Sequence, residues 1–190
     1  LQVYRDSEVG TPHTSFSAAK SFSSALIGAA IADGHINSVD DPVIQYIPEV
    51  AGRGLDKLTI RDLLLMNSGI RYANDGELPF YQHPFGDDAL SYYSPDLRRV
   101  ALGVQARGGP IGAAFRYNNY HLLLKGLILE RATGKHVAEY LQERFWKPMG
   151  AEYPASWSLD SDASGFEKME SGINAAAVDF ARFGLIFLHN

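Results

Sequence analysis

The chain has 190 residues, 46% of them hydrophobic, so it is long enough to bury one substantial core. Its 22 acidic and 17 basic residues give a net charge of −5, and no basic run exceeds a pair, which argues against nucleic acid as a partner. The sequence contains no membrane-spanning apolar stretch, no visible N-terminal signal pattern, and no cysteine for a disulfide or a thiol nucleophile.

The sequence also shows no clear pattern for binding a metal or a cofactor. The six histidines show neither H-x-H nor H-x-x-x-H spacing, which argues against a local metal site. The glycine-rich stretch 108–112 fits neither the P-loop nor the dinucleotide-binding pattern. We therefore expect no metal and no cofactor.

Helices dominate the predicted elements. Residues 1–16 are polar and are predicted only to lead into a first helix over 17–33, which ends before Gly34. A short helix over 42–46 and a helix over 60–69, capped by Thr59, follow. Residues 70–92 are rich in Gly, Pro, Asn and aromatics and are predicted to form a long surface loop.

The second half of the chain continues this pattern. A helix is predicted over 95–106, and the leucine-rich stretch 122–129 predicts a buried helix that ends near Gly134. Two further helices are predicted over 137–146 and 175–188. No repeat or flexible linker divides the chain, so residues 1–190 are interpreted as one domain or part of one.

Ser17-Ala18-Ala19-Lys20 is the most informative motif. Residues three apart on a helix share a face, so the hydroxyl of Ser17 and the amine of Lys20 are predicted to point toward one site. A serine at a helix start also lies where N–H groups and the helix dipole stabilise an oxyanion. The pattern fits acyl transfer. Taken alone, however, Ser17 could be an ordinary N-cap and Lys20 a solvated residue of the first turn.

Several ordered motifs together resemble the penicillin-recognising serine hydrolases related to class C β-lactamases. They are Ser17-x-x-Lys20, the stretch 58–69, Tyr117-x-Asn119, the stretch 132–135, the stretch 147–150 and the stretch 172–184. The stretch 158–166 and Gly172 look most similar to the 6-aminohexanoate-dimer hydrolases and related esterases.

The resemblance implies a role for four residues. Ser17 would be the acylated nucleophile, Lys20 its proton acceptor or electrostatic partner, Tyr117 a general base or relay, and Asn119 a ligand of the substrate amide. A serine hydroxyl needs an adjacent base, and a lysine serves as one when burial or a nearby positive charge lowers its pKa. Lys20 and Tyr117 are treated as a coupled pair. Apart from the resemblance, Tyr117 could simply pack at a helix start and Asn119 could be an N-cap.

The resemblance also implies an α/β fold of the β-lactamase/transpeptidase type, in which an antiparallel sheet is flanked by helices and joined to a helical lobe. Two family features are missing: the histidine of the His-x-Ser-Gly motif is replaced by Met66 in the stretch 66–69, and the Lys/His-Thr/Ser-Gly strand motif is absent. The chain is therefore expected to be a mostly helical fragment that lacks most of the sheet. Residues 1–190 alone are expected to be weakly active or inactive.

The leading hypothesis is a serine hydrolase that forms an acyl-enzyme on Ser17 and cleaves a small ester, linear amide or β-lactam. Esters and linear amides are favoured over β-lactams because of the subgroup resemblance. One alternative is a penicillin-binding sensor or inactive scaffold that is acylated but does not turn over. A purely structural helical module is the other alternative. The compartment and the oligomeric state are not predicted.

Overall fold

A computed structural model describes residues 8–72 and 86–188 of the chain. Within these ranges the helices are α1 (Ala19–Ala32), α2 (Ile60–Leu64), α3 (Asp87–Tyr93), α4 (Leu97–Leu102), α5 (Tyr120–Thr133), α6 (Val137–Leu141) and α7 (Ala177–Leu188). The strands are β1 (Pro12–Thr14), β2 (Ser156–Trp157) and β3 (Ile173–Ala176). Short 3₁₀ turns occupy Phe16–Ala18, Val43–Gln45 and Pro48–Val50, and the π-helical turn Gln142–Trp146 extends α6.

Helix α5 lies at the centre of the molecule. Every residue from Tyr120 to Leu129 is buried, because α1, α2, α4 and α6 all pack against this helix. It ends at Gly134, which takes the left-handed conformation that glycine adopts without strain. The prediction of a buried helix ending near Gly134 is confirmed.

Helix α1 supplies the other main face of the core. Its buried side chains include Phe22, Leu26 and Ile27, and it ends next to Gly34 as predicted. The ring of Phe22 stacks on Phe183 of α7 with centroids 3.6 Å apart. These contacts fix α1 between α5 and α7.

The sequence did not predict where the strands of the small antiparallel sheet lie. Its strand order is β1-β3-β2, and Pro12 pairs with Ala176 while Ser156 pairs with Asn174. The prediction that residues 1–16 form no element is wrong at β1, and residues 1–7 lie outside the described residues. The last helix begins at Ala177 and not at residue 175, because residues 173–176 form β3. Strands of two to four residues are too short for the alternating pattern to be visible.

The helix predicted over 60–69 is capped as expected but is shorter. The Thr59 hydroxyl accepts from the N–H of Asp62, whose carboxylate accepts from the N–H of Thr59. The helix ends at Leu64 because the backbone after it leaves the helical conformation. Met66 has a φ of 53°, and its carbonyl accepts a hydrogen bond from the N–H of Arg116 instead of from a residue of the helix.

The loop predicted over 70–92 is partly helical. Helix α3 is held from outside by the Tyr120 hydroxyl, which donates to Asp87 Oδ1 at 2.7 Å, and by the Tyr72 hydroxyl, which donates to Asp88. Residues 73–85 of the predicted loop lie outside the described residues. The helix predicted over 95–106 covers only Leu97–Leu102, after the N-cap Asp96. None of the helices in the described part of the chain is long and apolar enough to cross a membrane.

Candidate active site

The 3₁₀ turn that carries Ser17 is held in place by the end of the sheet. The N–H of Ser15 donates to the carbonyl of Ile173 at 2.7 Å, and its hydroxyl donates to the carbonyl of Ser171 at 3.0 Å. Phe16 has a φ of 44°, a conformation that costs a non-glycine residue energy. The chain is thereby turned so that Ser17 is exposed directly before α1.

Lys20 contacts Ser17 from the first turn of α1. Its Nζ lies 3.1 Å from Ser17 Oγ and also donates to the backbone carbonyl of Glu170 at 3.0 Å. The lysine is only 8% exposed. Lys20 is therefore a buried amine held beside the hydroxyl, rather than the solvated residue of the alternative interpretation.

Tyr117 reaches the same hydroxyl from the segment before α5. Its hydroxyl oxygen lies 2.7 Å from Ser17 Oγ, and Lys20 Nζ lies 5.0 Å from the centre of its ring. The amine above the ring is a cation–π arrangement when it is protonated. The structure thus brings together the three residues that the sequence motifs single out, although they are up to 100 positions apart.

Asn119 points toward α3. It is 4% exposed, and its Nδ2 donates to Ser91 Oγ at 3.2 Å and lies 3.5 Å from Asp88 Oδ1. Its Oδ1 has no hydrogen-bond partner among the described residues. Asn119 also makes no side-chain cap to α5; the neighbouring Asn118 accepts from the N–H of Tyr120 instead. Its role as a substrate ligand stays a prediction.

The site includes buried polar residues that sequence reasoning missed. Glu170 is fully buried; its Oε1 accepts from the Ser171 hydroxyl at 3.0 Å, and its Oε2 has no partner in the described part of the chain. Burial raises the pKa of Glu170. Burial, and then the charge of Glu170, raises the pKa of the half-buried Tyr92. No local pattern marks either residue, because their burial depends on distant contacts.

Lys125 and His121 lie one turn apart on α5 and are each 1% exposed. Burial and then the charge of Lys20 lower the pKa of Lys125 to about 7. Burial and then the charge of Lys125 lower the pKa of His121 to about 3, and His121 Nε2 lies 2.5 Å from Ser68 Oγ. A signal for Lys125 was present in the sequence, since it interrupts the leucine run that predicts a buried helix.

An open cavity of about 620 Å³ lies beside Lys20, between α1 and α7. Its aromatic wall is built from Phe22, Phe180, Phe183 and Phe187. Ala18, the residue after Ser17, also lines this cavity.

One cluster in the described residues could be considered for a metal. Ligand atoms of Glu130, His136 and Glu167 lie within 4.8 Å of one another. Glu130 already pairs with Arg98 at 2.6 Å, and Glu167 accepts from the N–H of Ala138 at the start of α6. A guanidinium and a helix start both favour anions over cations, so these carboxylates are better explained as structural acceptors.

Comparisons with known proteins identify the family of this chain. The model of the Beta-lactamase family matches residues 4–189, and the chain belongs to that family. It is 27% identical over 182 residues to the 6-aminohexanoate-dimer hydrolase of Paenarthrobacter ureafaciens, covering 93% of this chain and 45% of that protein. It is 25% identical to a teichoic acid D-alanine hydrolase of Staphylococcus aureus, covering 94% of this chain and 42% of the relative.

Solved structures show the same fold. A Bacillus anthracis protein, provisionally assigned as a 6-aminohexanoate-dimer hydrolase, matches with a TM-score of 0.81 and 26% identity over 100% of this chain and 50% of its own. The penicillin-binding protein homologue of Pyrococcus abyssi matches with a TM-score of 0.70 and 22% identity, over 95% of this chain and 46% of its own. The β-lactamase/transpeptidase-like fold, in a mostly helical chain with a small sheet, is thus confirmed. The chain spans less than half of the length of the curated relatives it matches.

Proposed function

We propose that this protein is a serine hydrolase that cleaves small esters or linear amides through an acyl-enzyme on Ser17. One observation carries the proposal: Ser17 Oγ lies at once 3.1 Å from the amine of Lys20 and 2.7 Å from the hydroxyl of Tyr117. A weak nucleophile within hydrogen-bond distance of two proton acceptors is the arrangement that nucleophilic catalysis requires. Ser17 is exposed, so a substrate can reach it.

The proposed reaction has two steps. Ser17 Oγ attacks the substrate carbonyl, its proton passes to the Lys20–Tyr117 pair, and the bond to the alcohol or amine breaks as that group takes the proton. Water then attacks the ester on Ser17, releasing the acid and restoring the hydroxyl. The N-terminal end of α1 favours the negative charge that develops on the carbonyl oxygen in both steps.

Esters and linear amides are the favoured substrates. The support comes from the relatives, which are named for hydrolysis of 6-aminohexanoate dimer and of D-alanine on teichoic acid. Initial rates on nitrophenyl esters, on 6-aminohexanoate dimer and on nitrocefin would rank the three classes. Dominant turnover of nitrocefin would contradict the preference.

The nucleophile is tested directly with a fluorophosphonate probe, intact mass and peptide mapping. On a chain that also carries the strands missing from residues 1–190, we expect one adduct, on Ser17, and none in Ser17→Ala. Ser21→Ala is the matched control, because Ser21 is also an exposed serine of this helical segment, but in the described part of the chain the hydrogen bonds from Lys20 Nζ and the Tyr117 hydroxyl go to Ser17 Oγ and not to Ser21. Labelling of Ser17→Ala at the wild-type rate would refute the proposal. A stable acyl adduct without turnover would favour the alternative of a penicillin-binding sensor or inactive scaffold.

A further inference from the structure

One short stretch of backbone, residues 170–173, holds two parts of the proposed site. The carbonyl of Glu170 accepts a hydrogen bond from Lys20 Nζ at 3.0 Å. The next carbonyl, that of Ser171, accepts a hydrogen bond from the hydroxyl of Ser15 at 3.0 Å. Adjacent carbonyls of one segment therefore hold the lysine and the start of the turn that carries the nucleophile.

Ser15 is attached to this segment by both its backbone and its side chain. Its N–H donates to the carbonyl of Ile173 at 2.7 Å, next to the pairing of β1 with β3. Its half-buried hydroxyl reaches the carbonyl of Ser171, which is closer than the carbonyl of Phe16 at 3.2 Å. Its own carbonyl accepts from the N–H of Ala18 at 3.1 Å and closes the turn. Ser15 thus joins the end of the sheet to the start of α1.

The turn between Ser15 and Ser17 needs such anchors because it is strained. Phe16, the residue between them, has a φ of 44°, and its side chain is exposed, so core packing does not hold it. A backbone conformation of this kind persists only where the surrounding structure fixes it. The position of the nucleophile matters for the rate, since a misplacement of about 1 Å can cost about a hundredfold.

We propose that Ser15 is a positioning residue: its hydroxyl, bound to the Ser171 carbonyl, sets the distance between Ser17 Oγ and Lys20 Nζ. This inference rests on the proposed function. In the described part of the chain the hydroxyl of Ser15 donates to backbone carbonyls and not to Ser17 or Lys20, so it acts through the geometry of the turn. Without it the strained turn relaxes, and Ser17 Oγ leaves its position 3.1 Å from the amine.

The test compares Ser15→Ala with Ser15→Thr in a chain that also carries the strands missing from residues 1–190. In Ser15→Ala we expect kcat on a nitrophenyl ester to fall by roughly tenfold to a hundredfold. KM should stay within about threefold of the wild-type value, because binding of the ester does not depend on Ser15. Ser15→Thr keeps the hydroxyl, so its kcat should stay within about threefold of wild type.

Thr14→Ala is the matched control. The Thr14 hydroxyl also links β1 to β3, donating to Asn174 Oδ1 at 2.8 Å, but it does not bond to the backbone of residues 170–173. Its loss removes one hydrogen bond, as Ser15→Ala does, and should leave kcat at the wild-type value. If Ser15→Ala does not fold, Ser15→Cys gives the same test, because a thiol is similar in shape but a weak donor. Its kcat should also fall.

The outcomes separate the inference from the function on which it rests. Wild-type acylation in Ser17→Ala would overturn the proposed function. If Ser17→Ala is inactive, a wild-type kcat in Ser15→Ala, or a loss that falls on KM instead of kcat, would overturn the inference alone. Equal losses of kcat in Ser15→Ala and in either Ser15→Thr or Thr14→Ala would also overturn it. The result expected is a lower kcat in Ser15→Ala, with near wild-type kinetics in Ser15→Thr and Thr14→Ala.

Discussion

At the level of single residues, Lys20 and Tyr117 both lie within hydrogen-bond distance of Ser17 Oγ. Substituting each residue would measure its contribution to the rate. We expect Lys20→Met to lower kcat/KM on a nitrophenyl ester on the order of a thousandfold, and Tyr117→Phe on the order of a hundredfold. The double variant should be little worse than Lys20→Met, because both groups serve one proton transfer.

The control for this comparison is Tyr93→Phe, which removes the hydroxyl of an exposed tyrosine outside the site. It should keep the wild-type rate. If the reduction of kcat/KM in the double variant equalled the product of the two single reductions, Lys20 and Tyr117 would act on different steps. Wild-type activity in Lys20→Met would remove Lys20 from the mechanism.

Local motifs could predict the residues of the site that touch Ser17, because Lys20 is one helical turn away and Tyr117 belongs to a recognisable motif at a helix start. They could not predict Glu170, and the only local signal for Lys125 was its position inside the leucine-rich stretch. The effect of these two groups depends on burial by elements far apart in the chain, and charge interactions in the interior are set by three-dimensional distance.

At the level of elements, the packing of α5 against the segment before β3 supports the site. A Cβ at Gly126 would lie 2.7 Å from Met169 Cγ and 2.8 Å from Phe166 Cζ. The next residue along that segment, Glu170, binds Lys20 through its carbonyl. We expect Gly126→Ala to destabilise the protein by about 1–3 kcal/mol and to lower kcat/KM, since overpacking displaces the segment.

Gly28→Ala is the matched control, measured by the same denaturant titrations. Gly28 lies in the interior of α1, and a Cβ there meets nothing within 4 Å. The substitution should stabilise the protein by roughly 0.5–1 kcal/mol, because alanine loses less backbone entropy in a helix than glycine. If both substitutions stabilised the protein equally, then Met169 and Phe166 would move away from the new Cβ without loss of stability.

The helices could be predicted from the sequence where a long apolar pattern or a cap marks them, as in α1, α5 and the capped start of α2. The same approach failed where tertiary contacts decide the structure. Helix α3 depends on hydroxyl groups of Tyr72 and Tyr120, and the strands β1 and β3 depend on each other. Such pairings have no local periodic signal.

At the level of the whole molecule, the buried bases of α5 make stability depend on pH. Lys125 has a folded pKa of about 7, well below that of a free lysine. The unfolded chain therefore binds more protons between about pH 7 and 10.4, so stability rises with pH across this window. The loss of stability caused by burying Lys125 is complete below about pH 7 and absent above about pH 10.4. His121 adds a second loss as pH falls below about 6.5, since its folded pKa is about 3.

Lys125→Met should remove the first of these effects. Its free energy of unfolding should exceed that of wild type by a few kcal/mol at pH 7, because each pKa unit corresponds to about 1.4 kcal/mol. The difference should shrink toward pH 10, while the loss due to His121 persists in both proteins. Denaturant titrations at several pH values measure this. A constant difference at all pH values, as expected for the surface variant Lys135→Met, would show that burial does not lower the pKa of Lys125 in the folded protein.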